Sequence, residues 1–252
     1  MTRPVVLLPP SKGKAEGGDG GPYGEQLGSE PELAGARGRV LRAAVDAADE
    51  LDDRSIARLT GVKPDRADAQ RPLLARLGSA PTMPAHRRYT GVVHAHAQLA
   101  DLDPASVGID VRIVSALLGL AGLDAPVPDY RLEFGASLPP LGGLGRFWRE
   151  QLADHLAQLT DGVRVWDLLP GEHAVVWPTD LRADRHVVTV RFVRPDGRVA
   201  PAARVKIAKG RLLAALIAAP DLEPVDMVSQ VDLGATWSMT ATGDEVVATD
   251  HS

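Results

Sequence analysis

Four consecutive apolar residues, Val5 to Leu8, closed by Pro9-Pro10, predict a short buried strand near the start of the chain, because proline cannot continue a ladder. From Leu33 the apolar positions recur at helical spacing through Val40, Leu41, Ala44, Val45, Ala48 and Leu51, with a break at Leu51-Asp52-Asp53 and a second helix ending at Gly61. Further helices are predicted around Arg71 to Leu77 and over Arg87 to Leu99, and a strand or buried helix over Val111 to Leu120. Phe147, Leu152, Leu156 and Leu159 fall on one side of a helix over 147–159, and a strand at Val163 to Leu168 follows. His186 to Val193 alternates with a period of two, and Arg194-Pro195-Asp196-Gly197 supplies a turn, so a hairpin is expected with a second arm reaching Arg204 to Ala208, which places Lys206 on a strand. A helix over Leu212 to Ala219 and two strands, Ala235 to Met239 and Glu245 to Ala248, complete the pattern.

The stretch Gly13 to Pro31 is rich in glycine and poor in core residues, which predicts a mobile loop able to serve as a lid. With no internal repeat and no evident linker, the expected architecture is α+β: one mixed domain over 1–252, helices wrapped around a small, mostly antiparallel sheet or partial barrel. The terminal strands are expected to share that sheet.

Composition narrows the function. The formal net charge of −5 argues against broad attraction to nucleic acid and leaves room only for a locally basic site. The absence of cysteine excludes disulfides, thiolate metal sites and thiol catalysis. No apolar run approaches a membrane span, and Val5 to Leu8 is too short for a secretory signal, so the chain is expected to be cytoplasmic, a monomer, and without membrane, metal or cofactor partners.

Lysine is scarce: five among twenty-eight basic residues, four of them in two short segments, Lys12 with Lys14 and Lys206 with Lys209. A chain that meets its charge needs with arginine has little generic reason to retain an ammonium. Lysine offers a compact charge and an amine whose pKa falls far enough to act as base or nucleophile, whereas guanidinium stays charged. Chance clustering is the bland alternative.

Other motifs are weaker. Tyr130-Arg131-Leu132-Glu133-Phe134-Gly135 puts Arg131 and Glu133 on one face if extended, paired with each other or with an anion. On a helix His94 and His96 point about 200° apart and cannot chelate one ion; on a strand they would share a face, but no cysteine or carboxylate cluster stands nearby to complete a metal site. Leu117 to Leu123, with Gly119 and Gly122, has the hydrophobic-glycine character of the turn in a helix-hairpin-helix, and Leu59 to Pro64 is a second candidate. No P-loop, nucleophile elbow or dinucleotide fingerprint is present.

Together these segments resemble the YaaA peroxide-stress family. Leu7-Leu8-Pro9-Pro10-Ser11-Lys12 is similar to its strand and Ser-Pro-Ala-Lys signature. Arg112 to Gly119, Asp124, Tyr130 to Gly135 and Phe147-Trp148 follow its longest motif in order and spacing, and Asp167 to His173 and Lys206 to Arg211 correspond to later blocks. Leu118 and His173 stand where the family has tyrosine, Asp167 where it has asparagine, and Gly210-Arg211 reverses its Arg-Gly order. The resemblance implies helices around a small sheet, a basic cleft, a helix-hairpin-helix, binding of duplex DNA, and protection from peroxide damage linked to intracellular iron. In a DNA-binding reading Ser11, Lys12, Lys14, Arg131, Lys206, Lys209 and Arg211 line the cleft, with Gly119 and Gly122 adding backbone donors. The alternative is a lysine-dependent enzyme acting on damaged DNA or another anionic substrate, with Lys12, Arg131 and Glu133 as the catalytic set.

Overall fold

The computed structural model describes residues 3–252. Strand β1 (Val5–Leu8) has all four side chains buried, as its unbroken apolar run requires of a strand covered on both faces. A short strand β2 (Gly20–Pro22) and two 3₁₀ turns (Tyr23–Glu25 and Leu27–Ser29) occupy the glycine-rich segment, so regular structure stands where a loop was expected. Buried Tyr23 anchors it.

The two predicted helices follow as α1 (Pro31–Glu50) and α2 (Asp53–Thr60). The break between them is capped by Asp52, which accepts from the Ser55 N–H at 2.7 Å, and α2 ends at left-handed Gly61 with φ 67°. Helix α3 (Arg71–Ala75), strand β3 (Pro81–Pro84) and the short helices α4 (Ala85–Arg88) and α5 (Val92–His96) come next. The single helix expected over 87–99 is split at Tyr89–Gly91, where Lys14 forms an isolated antiparallel bridge to Tyr89.

Strand β4 (Asp110–Ser115) turns back at once into β5 (Gly119–Ala121). This corrects the helix-hairpin-helix expected at Gly119 and Gly122: the residues form a β-hairpin, and Gly119 takes φ 72° against the Trp148 ring. The glycine pattern is the same in both motifs, since each needs a tight turn. The other candidate leaves α2 through Gly61 into a 3₁₀ turn over Pro64–Arg66.

Strands β6 (Pro126–Pro128), β7 (Ser137–Leu138) and β8 (Gly142–Gly143) lead to α6 (Leu144–Leu159), which buries Phe147, Leu152 and Leu156 as expected, leaves Leu159 half-buried, and buries Trp148 in addition. After β9 (Val165–Asp167) come the short helices α7 (Gly171–Ala174) and α8 (Thr179–Ala183), then β10 (Val187–Val193). The hairpin expected after β10 is reduced to one bridge, Val193 to Val199. Its second arm is helix: α9 (Ala202–Ala218) includes Lys206 and Lys209. Five residues from Arg204 to Ala208 are too few to separate the two periods, whereas Ala208, Leu212 and Leu216 set the helical one. Helix α10 (Pro224–Gln230) and the hairpin β11 (Trp237–Thr242) and β12 (Glu245–Asp250) end the chain.

The main sheet runs β11-β12-β10-β9-β1-β4-β5, so the terminal strands share it as expected. It is mixed rather than mostly antiparallel: β12, β10, β9, β1 and β4 are parallel neighbours, and only the two edge hairpins are antiparallel. Long crossovers through α6 and α9 impose this, since parallel strands cannot be joined by a tight turn. From β1 the chain moves outward to β4, then crosses back to β9 and proceeds the other way to β10 and β12. The order therefore reverses between β1 and β9. In open parallel sheets the crevice beyond the carboxyl ends at such a reversal is where ligands collect.

Candidate functional site

That crevice holds a cavity of about 580 Å³. Its walls are the loop after β1 (Pro9 to Lys14), the loop after β9 with Glu172 and His173, α5, the segment Tyr130 to Phe134, and the first turns of α9. Ser11, Lys12, Lys14, Arg131, Glu133, Lys206 and Lys209, expected from the sequence to share a site, all line it. Three others do not. Arg211 is exposed and packs beside Gly234, Gly119 lies under Trp148, and Gly122 borders a separate groove with Arg112.

Local packing explains the convergence. The Ser11 to Lys14 loop is tied to the start of α5: Gly91 N–H donates to Ser11 Oγ at 3.1 Å and Thr90 N–H to the Gly13 carbonyl at 3.1 Å. Buried Arg88 holds the continuation of the loop by donating to the carbonyls of Ala15 and, at 2.7 Å, Gly17. Gly210 lets α9 cross α5 at a distance where a Cβ would meet His96 and the Val93 carbonyl, which brings Lys206 and Lys209 to the cavity. Glu133 is seated against left-handed Gly61, where any side chain would collide with its carboxylate.

The basic residues differ in kind. Lys12 is 73 % exposed and pairs with Glu133 at 2.7 Å, so Glu133 binds Lys12 and not Arg131. Arg131 and Lys206 are exposed and have no ion-pair partner among the described residues. Lys14 is sunk in the wall: its Nζ donates to the Ser11 carbonyl at 3.1 Å and lies 4.2 Å from the centre of the Tyr130 ring, and burial lowers its pKa to about 8. Lys209 donates to the Leu168 carbonyl at 2.7 Å, and burial lowers its pKa as well.

Beneath Lys14 lies a hydroxyl chain. Tyr89 Oη is 3.0 Å from Tyr130 Oη, which is 2.7 Å from Ser115 Oγ, and that oxygen accepts from the N–H groups of Leu117 and Leu118. Burial pushes the Tyr130 phenol up to about 12 and Tyr89 higher still. His94 is fully buried beside Tyr89 with neither ring nitrogen hydrogen-bonded, and burial lowers its pKa to about 4. His173 stacks on Phe134 with ring centroids 4.7 Å apart, and burial holds it at about 4 as well. His96 is exposed and does not line the cavity, consistent with its place on α5 two residues from His94.

A family model described as peroxide stress protein YaaA matches residues 5–234. The chain belongs to the YaaA peroxide-stress family. A UPF0246 protein of Streptomyces coelicolor is 33 % identical over 91 % of this chain and 90 % of its own length. UPF0246 proteins of Corynebacterium efficiens, 33 % identical over 61 % of this chain and 62 % of theirs, and of Salinispora tropica, 30 % identical over 69 % and 68 %, are also similar. In this YaaA-family chain Leu118 is buried in the β4–β5 turn, while His173 lines the cavity and Asp167 ties β9 to Arg182. In the sequence His94 stands out only beside His96, as a poor metal pair, and Tyr89 carries no motif of its own. No described helix is long and apolar enough to cross a membrane.

Proposed function

We propose that this YaaA-family protein contributes to the peroxide-stress response by binding DNA through the rim of the cavity, with Lys12, Arg131 and Lys206 against backbone phosphates. The observation that carries this reading is the pair of exposed cations, Arg131 and Lys206, that face one opening with no carboxylate partner among the described residues. Phosphates neutralised by such groups release counterions, and that release drives binding even for a chain of net charge −5. The cavity itself is small beside a duplex, so the helix lies across the rim and only a single nucleotide or sugar has room below. In this reading the protein shields DNA from the damage that peroxide and intracellular iron cause together.

Fluorescence anisotropy with a short labelled duplex tests it. Three phosphate contacts give a slope of log affinity against log salt near −2.7, and Arg131→Ala or Lys206→Ala each reduces it by about 0.9. Absence of binding at low salt, or a slope indifferent to both substitutions, overturns the reading.

A further inference from the structure

Buried polar groups in folded proteins are almost always hydrogen-bonded, and an exception inside a cavity points to a missing partner. His94 is 3 % exposed, lines the cavity, and has neither ring nitrogen satisfied. Beside it, the ammonium of Lys14 has three donors but meets the Ser11 carbonyl and the faces of Tyr130 and Tyr89, with no carboxylate in ion-pair range among the described residues. Lysine in such surroundings serves as an amine rather than as a charge. Lys12, which the sequence suggested for amine chemistry, is in the opposite position: exposed and neutralised by Glu133.

We propose that the cavity binds a phosphorylated aldehyde and that Lys14 Nζ joins its carbonyl carbon as an imine, with His94 hydrogen-bonding the carbonyl oxygen. The phosphate rests on Arg131 and Lys206, so the inference depends on the anion-binding half of the reading above. In the step, the nitrogen of Lys14 forms the bond to carbon as a proton passes from it to the carbonyl oxygen, to which His94 donates a hydrogen bond, and the carbonyl electrons move to that oxygen. That oxygen then departs as water with two of the three protons of the former ammonium, and the third stays on the iminium nitrogen. No oxidant or reductant is needed. A cavity of about 580 Å³ accommodates a free sugar phosphate or the opened deoxyribose of an abasic site extruded from DNA.

Reductive trapping decides between these sources. The protein is incubated with glyceraldehyde 3-phosphate in one arm and with a duplex carrying one abasic site in the other, reduced with borohydride, and mapped by peptide mass spectrometry. Because deprotonated amine is far more available at Lys14 than at an ordinary lysine, the expected result is an adduct at least ~10-fold more abundant at Lys14 than at any other lysine. It persists in Lys12→Arg and disappears in Lys14→Arg. Mapping the unsubstituted protein makes the test independent of how the variants fold. Trapping of the free sugar phosphate alone supports the inference and counts against the DNA reading; trapping of abasic DNA supports both. No adduct in either arm, or adducts spread evenly over Lys12, Lys14, Lys206 and Lys209, overturns the inference, and if anisotropy still shows duplex binding the DNA reading survives it.

Discussion

Lys14 Nζ lies 4.2 Å from the centre of the Tyr130 ring, and the Tyr130 hydroxyl is in turn fixed at 2.7 Å from Ser115 Oγ. A desolvated cation over an aromatic face is stabilised by roughly 2 kcal/mol, but burial of the ammonium costs more, which is why its pKa falls rather than rises. The ring restrains the amine without neutralising it. Ser115 sits at the end of β4, the strand beside β1, so the platform under Lys14 is anchored next to the point where the strand order reverses.

Stability in alkali reports on this amine. The folded chain holds the Lys14 proton only up to about pH 8, whereas the unfolded chain holds it to about 10.5. Between these values the unfolded state binds more protons, so this group makes stability rise with pH. Lys14→Met, which has no proton to shed, is expected to be more stable than the unsubstituted protein at pH 7, with the gap narrowing across that window. Urea denaturation at a series of pH values measures the gap, and a constant difference would falsify the burial of a charged amine.

The acid side belongs to the histidines. His94 and His173 are protonated in the folded state only near pH 4, but in the unfolded chain near 6.5. Stability is therefore present above about 6.5 and is lost as the pH falls toward 4, on the order of 3 kcal/mol for fully buried His94. His94→Phe removes that dependence and leaves the smaller part due to His173. Thermal melts of both proteins between those pH values give the comparison, and parallel curves argue against a buried neutral His94.

Much of this was legible in the sequence, and the failures have physical causes. The apolar run of β1, the paired helices α1 and α2, and the face of α6 were readable because each is set by local periodicity. The sheet's parallel core was not, since pairing between β1 and β9 joins residues some 160 positions apart and leaves no local mark. Arg204 to Ala208 fits either period, so the sequence places Lys206 on a strand, yet it still reaches the cavity, since Gly210 docks α9 on α5. Scarcity marked the lysines as a group, but only burial separates Lys14 and Lys209 from Lys12 and Lys206. His94 was hidden for the same reason: its role rests on having no partner.

Gly119 provides a test of the corrected hairpin. Its φ of 72° strains any L-residue, and a Cβ there overlaps the buried Trp148 ring, whose Nε1 donates to the Ala116 carbonyl at 2.8 Å. Gly119→Ala is expected to destabilise the protein by about 2 kcal/mol or more. DNA affinity per folded molecule is expected to stay unchanged, because Gly119 lies outside the cavity. A variant of full stability with weakened DNA binding instead restores a phosphate-binding turn at this position.

Glu133 separates a tuning role from a catalytic one. Its carboxylate neutralises Lys12 at the cavity mouth, held there by the seat at Gly61 and by its own N–H donating to the Leu59 carbonyl at 2.8 Å. Glu133→Gln preserves the shape and removes the charge, so Lys12 becomes fully available to phosphate. Duplex affinity is expected to rise several-fold at low salt, with the salt slope staying near −2.7, since Lys12 is already one of the three phosphate contacts. Imine trapping at Lys14 is expected to continue, since neither the amine nor His94 depends on Glu133 for a hydrogen bond. If trapping collapses while duplex binding strengthens, Glu133 transfers protons in the step; if binding weakens, its carboxylate supports the rim rather than restraining it.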